Sequence, residues 1–345
     1  MGKLLFNEHG DRDYGKRRIF GGNSTNIMEL TNNKYDWAGK LYRTMMNNFW
    51  IPEEIALSAD ARQYPLLSDK EKDAFDKIIC FLVFLDSIQT FNLPNINEYV
   101  TAPEVNLLLT IQAYQEAIHS QSYGYILESV VPAEKRQPIY DLWRTDKHLL
   151  KRNKYIADIY QEFVDHQSDR GFVKTCMANF ILEGLYFYSG FSFFYNLARR
   201  GFMTGVGTEI KYINRDELTH LALFQNMFRE MRKESPEIFT PEFNEELREM
   251  MRGAVEQEIE WGQYVIGDEI EGLNKNLIEQ YIKWISNNRL KIIDLEPLYS
   301  NITVNPMPWI DNFTNFNQVK TDFFEEKVIN YSKSSGLNLN ELDDL

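Results

Sequence analysis

The stretch "AYQEAIHSQSYGY", residues 113–125, sets Glu116, His119 and Tyr123 at offsets of three and four. On an α-helix those three side chains fall along one face. The surrounding run reads as a buried amphipathic helix. A carboxylate away from water is costly unless it is paired or bound to a cation. This face is therefore either solvated or holds something positive.

The same pattern recurs. "INRDELTHLALF", residues 213–224, carries Glu217 and His220, again Glu-x-x-His on a predicted helix. The chain has 5 histidines, and two of them follow a glutamate by three positions. Paired Glu-x-x-His motifs are what a dinuclear carboxylate site in a helical bundle uses, with one further acid from each of two other helices. Two acids qualify. Asp86 in "FLVFLDSIQTF" is the only acid between Asp76 and Glu98, and Glu183 in "ANFILEGLYFYSGFSFF" is the only one between Asp169 and Glu209. A lone acid in mid-helix among apolar residues is hard to explain as a solvated face. Four carboxylates and two imidazoles suit two hard or borderline cations such as iron or manganese, and the acids balance the cation charge. Zinc normally takes fewer ligands, often with sulfur. Phe187, Phe191 and Ile213 share these helical faces and are expected to line an apolar pocket that Tyr123 also enters. A phenol there can lose an electron and a proton, and a dry pocket protects the product.

Outside the motifs, helical punctuation dominates. "SDKE" at 68–71 pairs Ser68 with Glu71 as a capping box, and "TAPE" at 101–104 repeats the device with Thr101 and Glu104. These open helices to about residues 92 and 129. Further helical runs are expected at about 134–167, 171–199, 206–232, 241–268 and 274–299, with strand-like alternation scarce. The reading is one all-α bundle. A weakly periodic N-terminal arm, 1–35, precedes it, and residues 311–345 form a mobile acidic tail ending "NYSKSSGLNLNELDDL".

Composition narrows the function. A net charge of −14 argues against a nucleic-acid binder and a membrane-surface protein. The longest apolar stretch, "IICFLVFL" at 78–85, is too short to span a bilayer. The N-terminus has charges where a signal peptide is apolar. Cys80 and Cys176 sit inside apolar runs as core residues, which fits a reduced, cytoplasmic protein.

Five segments, taken together, resemble the small, radical-generating subunit of class I ribonucleotide reductase, a ferritin-like helical family. They are "NNFWIPEEIALSAD" (47–60), "FLDSIQTFNLPNI" (84–96), "QEAIHSQSY" (115–123), "FILEGLYFYSGFSFF" (180–194) and "NRDELTH" (214–220), in the family's order. The resemblance implies that Asp86, Glu116, His119, Glu183, Glu217 and His220 bind a dinuclear centre. That centre would be two Fe, with Mn/Mn or Mn/Fe as alternatives. It implies a radical on Tyr123 and an electron-transfer path through His119, Asp216 and Trp50. Without it, Trp50 reads as ordinary core and Asp216 as an exposed acid or a partner of a ligand. The resemblance further implies a ferritin-like domain over 36–310, a homodimer, and a separate large subunit that binds the nucleotide. The tail would dock to that subunit through Leu337, Leu339, Leu342 and Leu345, with Tyr331 relaying the radical. An accessory flavoprotein is a further partner that some members use. Two rivals stay open at this stage: another ferritin-like oxidase acting on a small substrate, and a metal-storage protein without redox output.

Overall fold

The computed structural model describes residues 4–29 and 31–314; Tyr331 and the four tail leucines lie outside them. Helices dominate. After α1 (Asp36–Asn47) and α2 (Ser58–Gln63) come two long antiparallel neighbours, α3 (Asp69–Tyr99) and α4 (Pro103–Val130). Next are α5 (Ala133–Tyr140), α6 (Leu142–Thr145), α7 (Lys147–Asp165) and α8 (Asp169–Ile181). A π turn, Leu182–Tyr186, joins α8 to α9 (Tyr188–Arg199). The bundle closes with α10 (Thr204–Glu234), α11 (Pro241–Ile266) and α12 (Lys275–Ile292). Among the described residues the only β pairing is an isolated bridge, Asp11 to Ser24.

Local chemistry explains where the helices start and break. At Ser68 the capping box forms in both directions with Glu71. The second expected box does not form. Ala102 is the N-cap of α4 and makes no side-chain cap, while Thr101 accepts from Gly22 N–H and donates to Arg18 C=O. Glu104 turns instead to a buried ion pair with Arg17, 3.1 Å long. The N-terminal arm thus diverts both capping residues to anchor itself. Helix α3 also outruns its expected end, continuing through Pro94 to Tyr99. Proline removes one helical bond there, but Leu93 and Ile96 are fully buried and their packing carries the helix on. The run expected at 134–167 is three helices, because Asp146 caps α7 by accepting from His148 N–H and Leu149 N–H.

The run expected at 171–199 is interrupted by the π turn, which frees backbone groups that an α-helix would pair. Three buried charged side chains from other helices meet them. Arg289 Nε donates to Gly184 C=O at 3.1 Å, and Arg152 Nη2 to Tyr186 C=O at 2.9 Å. Ser189 N–H donates to Glu258 Oε1 at 3.2 Å. Arg152 is itself paired with Glu258 and lies 3.8 Å over the Phe81 ring. Gly184 leaves room for these neighbours: a Cβ there would stand 2.8 Å from Leu221 Cδ2 and 3.2 Å from Arg289, and both side chains would have to shift.

Candidate metal centre

Four helical segments meet in the core, and each contributes an acid. Asp86 comes from α3, Glu116 and His119 from α4, Glu183 from the π turn, and Glu217 and His220 from α10. All six are fully buried. Their donor atoms fall into two groups that share both motif glutamates. One is Asp86, Glu116, His119 and Glu217; the other is Glu116, Glu183, Glu217 and His220, with donor atoms in each group within 4.8 Å of one another.

The two imidazoles are oriented alike. His119 turns Nδ1 toward Glu217 Oε1 (3.1 Å), Glu116 Oε2 (3.5 Å) and Asp86 Oδ2 (3.9 Å). Its Nε2 faces Asp216 Oδ2 at 3.4 Å. His220 turns Nδ1 toward Glu217 Oε2 (2.9 Å), Glu116 Oε1 (3.3 Å) and Glu183 Oε2 (3.4 Å). Its Nε2 lies 3.0 Å from Gln115 Oε1. In both rings the outer nitrogen finds an acceptor, which fixes the tautomer and leaves Nδ1 as the electron-pair donor. Glu116 and Glu217 each offer one oxygen to either group.

The electrostatics call for cations. Both oxygens of Asp86, Glu116 Oε2, Glu217 Oε1 and His119 Nδ1 are buried with no hydrogen-bond partner. Burial, and then repulsion from Glu116, pushes the Asp86 carboxyl well above its ordinary range. Burial and Glu183 act the same way on Glu217. Burial by itself would raise Glu183 too, but hydrogen bonds from Glu217, His220 and Gln89 hold it at about 2. His119 is also driven up: burial opposes its charge, but the carboxylates of Asp216, Glu116 and Glu217 around the ring overcome that. Without metal the site must therefore hold protons. Two divalent ions would replace them, and the oxygen-rich donor set fits such ions.

Tyr123 is fully buried, its hydroxyl beside Asp86 with no well-formed hydrogen bond. Burial, with the charges of Asp86 and Glu217, lifts the phenol's pKa well above its ordinary value, so it stays neutral. Phe187, Phe191 and Ile213 are buried, and the two phenylalanine rings stack on each other 5.4 Å apart. Asp216 is fully buried, which removes the exposed-acid reading. It accepts from Trp50 Nε1 at 2.9 Å and from its neighbour Arg215. Trp50 itself is buried, while the adjoining Phe49 is 66% exposed, so this chain of polar contacts ends next to the surface.

Sequence reasoning passed over a ring of buried amides. Gln89 and Gln112 both donate to Glu183 Oε1, Gln112 at 2.8 Å, and Gln115 receives His220. Their helical spacing was a usable signal, since Gln89 is three residues after Asp86 and Gln112 four before Glu116.

A family model described as "Ribonucleotide reductase, small chain" matches residues 27–306. A ribonucleoside-diphosphate reductase subunit beta from Treponema pallidum is 52% identical, over 99% of this chain and 97% of that protein. The corresponding subunit from Halalkalibacterium halodurans is 42% identical, over 93% of each chain. Among solved structures, a ribonucleotide reductase R2 subunit from Clostridium botulinum superposes with a TM-score of 0.89. It is 57% identical and the match covers 91% of this chain and 98% of that one.

Proposed function

The chain belongs to the ribonucleotide reductase small-chain family, and we propose that its buried cluster holds two metal ions that generate a radical on Tyr123. Its enzyme is ribonucleoside-diphosphate reductase, in which it stands as the beta subunit. One observation carries the site-level reading: six buried donors, several without partners, converge beside a phenol that is itself buried. Asp86, Glu116, His119, Glu183, Glu217 and His220 would hold the ions, with Glu116 and Glu217 common to both donor groups. The ions are iron, with manganese as the alternative the same donors accept. When bound and exposed to oxygen, such a pair supplies the oxidising power to take one electron from Tyr123.

The protein's own groups do the rest. Burial excludes water and reductants from the oxidised phenol. Asp86, next to the hydroxyl, is placed to influence where its proton goes. His119, Asp216 and Trp50 form a hydrogen-bonded line along which the hole leaves, with Asp216 kept anionic despite burial by hydrogen bonds from His119 and Trp50 and by Arg215. The hole then passes to a separate large subunit, where ribonucleotides become 2′-deoxyribonucleotides. Tyr331 continues the relay, and the tail leucines dock it to that subunit. The working form is a homodimer in the cytoplasm. Among the described residues no helix is long and apolar enough to cross a membrane.

Metal analysis with electron paramagnetic resonance, on protein purified from its own host, tests this reading. Two metals per chain and a tyrosyl signal that Tyr123→Phe abolishes are expected. Two metals without any tyrosyl signal would overturn the Tyr123 assignment. A peptide of residues 332–345 should compete with the whole chain for the large subunit, and failure to compete would remove the tail from docking.

A further inference from the structure

The two halves of the cluster are held differently by what lies behind them. Asp86, at one end, has no hydrogen bond to either oxygen. Glu183, at the other end, is gripped. Its Oε1 accepts from Gln89 Nε2, from Gln112 Nε2 at 2.8 Å and from Asn179 Nδ2 at 3.4 Å. Its Oε2 is left to face His220. Gln112 also reaches Glu116 Oε1 at 3.4 Å, so one amide spans two acids of the same group. Gln89 is in turn aimed by its neighbours. Tyr160 donates to Gln89 Oε1 at 2.6 Å, and Asn179 Oδ1 accepts from Gln89 Nε2 at 2.7 Å. With acceptors on its nitrogen side and a hydroxyl on its oxygen side, the Gln89 amide has one sensible orientation.

Gln112 shows the same bias at a cost. Its own Oε1 is buried without a partner, while its N–H group serves Glu183. Turning the amide over would point a carbonyl at a carboxylate. Three residues from three helices, Gln89 on α3, Gln112 on α4 and Asn179 on α8, thus converge on one oxygen of one acid, and Tyr160 on α7 aims Gln89.

We propose that Gln89 and Gln112 are positioning residues that hold Glu183 by Oε1, so that Oε2 alone is presented to the metal on the His220 side. This inference rests on the two-ion reading above. A carboxylate oxygen already saturated by amide donors is a poor second ligand, so Glu183 stays single-handed and does not swing to chelate or bridge. Removing the donors frees that motion and loosens one ion, while the ion on the Asp86 side keeps its ligands.

The test is an anaerobic titration of the full-length, metal-free chain with Mn2+, reading free Mn2+ by electron paramagnetic resonance. The probe reports occupancy directly, independent of turnover. Gln112→Met and Gln89→Met keep length and remove the donor. Each is expected to weaken one of two Mn2+ ions at least tenfold and leave the other within about twofold. Glu183→Gln marks the His220-side ion and Asp86→Asn the opposite one. Gln112→Met should add little to Glu183→Gln, because both act on one bond, and should add fully to Asp86→Asn. Unchanged affinities, equal weakening of both ions, or full additivity with Glu183→Gln would overturn the proposal. Tyr160→Phe leaves both amides in place and releases only the aim of Gln89; it keeps the test open if a methionine variant fails to fold. A wild-type chain that binds no Mn2+ pair would instead refute the two-ion reading.

Discussion

Trp50 and Asp216, 166 positions apart in the chain, are joined by an indole N–H to Oδ2 hydrogen bond of 2.9 Å in the buried interior. The same oxygen faces His119 Nε2 at 3.4 Å, so one carboxylate oxygen serves both rings. Trp50→Phe removes one donor and leaves the acid with His119 and Arg215. A loss of about 1–3 kcal/mol in stability is expected from the weakened buried bond. Metal loading and Tyr123 oxidation should persist, while turnover with the large subunit falls to background. Near-normal turnover would take Trp50 off the path.

Tyr123→Phe deletes a hydroxyl that has no well-formed hydrogen bond. Stability should therefore move by no more than about 1 kcal/mol, in either direction. Chemical denaturation of the metal-free chain measures this. Activity should vanish while two metals still bind.

Arg152→Met leaves Glu258 buried without its cation, with Ser189 as its remaining partner. Breaking such a pair from one side costs about 3–5 kcal/mol. The double change Arg152→Met with Glu258→Leu should recover part of the loss, because no lone charge remains. Urea unfolding of the two variants beside the unaltered chain decides this, and a double variant no better than the single one would locate the loss in the backbone bonds to the π turn.

Glu209 is buried with neither oxygen partnered, and burial, aided by Asp60 and Glu53, pushes its carboxyl up to about 9. In the unfolded chain it titrates near 4.5. Between these values the folded state binds the extra proton, so this residue's contribution to stability is full below the lower pKa and is lost as pH rises through the upper one. Glu209→Gln should therefore be close to neutral at pH 5 and stabilising by on the order of 2–4 kcal/mol near pH 8. Melting curves at the two pH values provide the check; a pH-independent difference would mean the side chain titrates normally.

The helical periods, the Ser68 cap and the two Glu-x-x-His pairs could be read from the sequence because each depends on spacing along one helix, and Asp86 and Glu183 because each is a lone acid in an apolar helical run. What could not be read depends on meetings between helices. Thr101 and Glu104 match a cap motif, yet a distant arm claims both. Arg152, Glu258 and Arg289 are ordinary charged residues on amphipathic helices until the π turn frees backbone groups for them to meet. Asp216 follows an exposed-looking arginine, and only the position of Trp50 in space makes it an interior acid. The amides of Gln89 and Gln112 were visible at helical offsets, but polar uncharged side chains give no sign of which acid they will address.

The π turn at Leu182–Tyr186 also governs how this segment tolerates changes in length. A π turn holds about one residue more than an α turn, and each residue of an α-helix advances roughly 100° about the axis, so regularising the helix here with its length kept would turn one flank against the other by that amount. Glu183, or else Phe187 and Phe191, would then leave the interior, although every amino acid type in the segment had been kept. A one-residue gap between otherwise matching sequences at this point is thus absorbed by the turn reverting to α with both flanks in phase, whereas a redesign that straightened the helix at constant length would dismantle the centre it was meant to support.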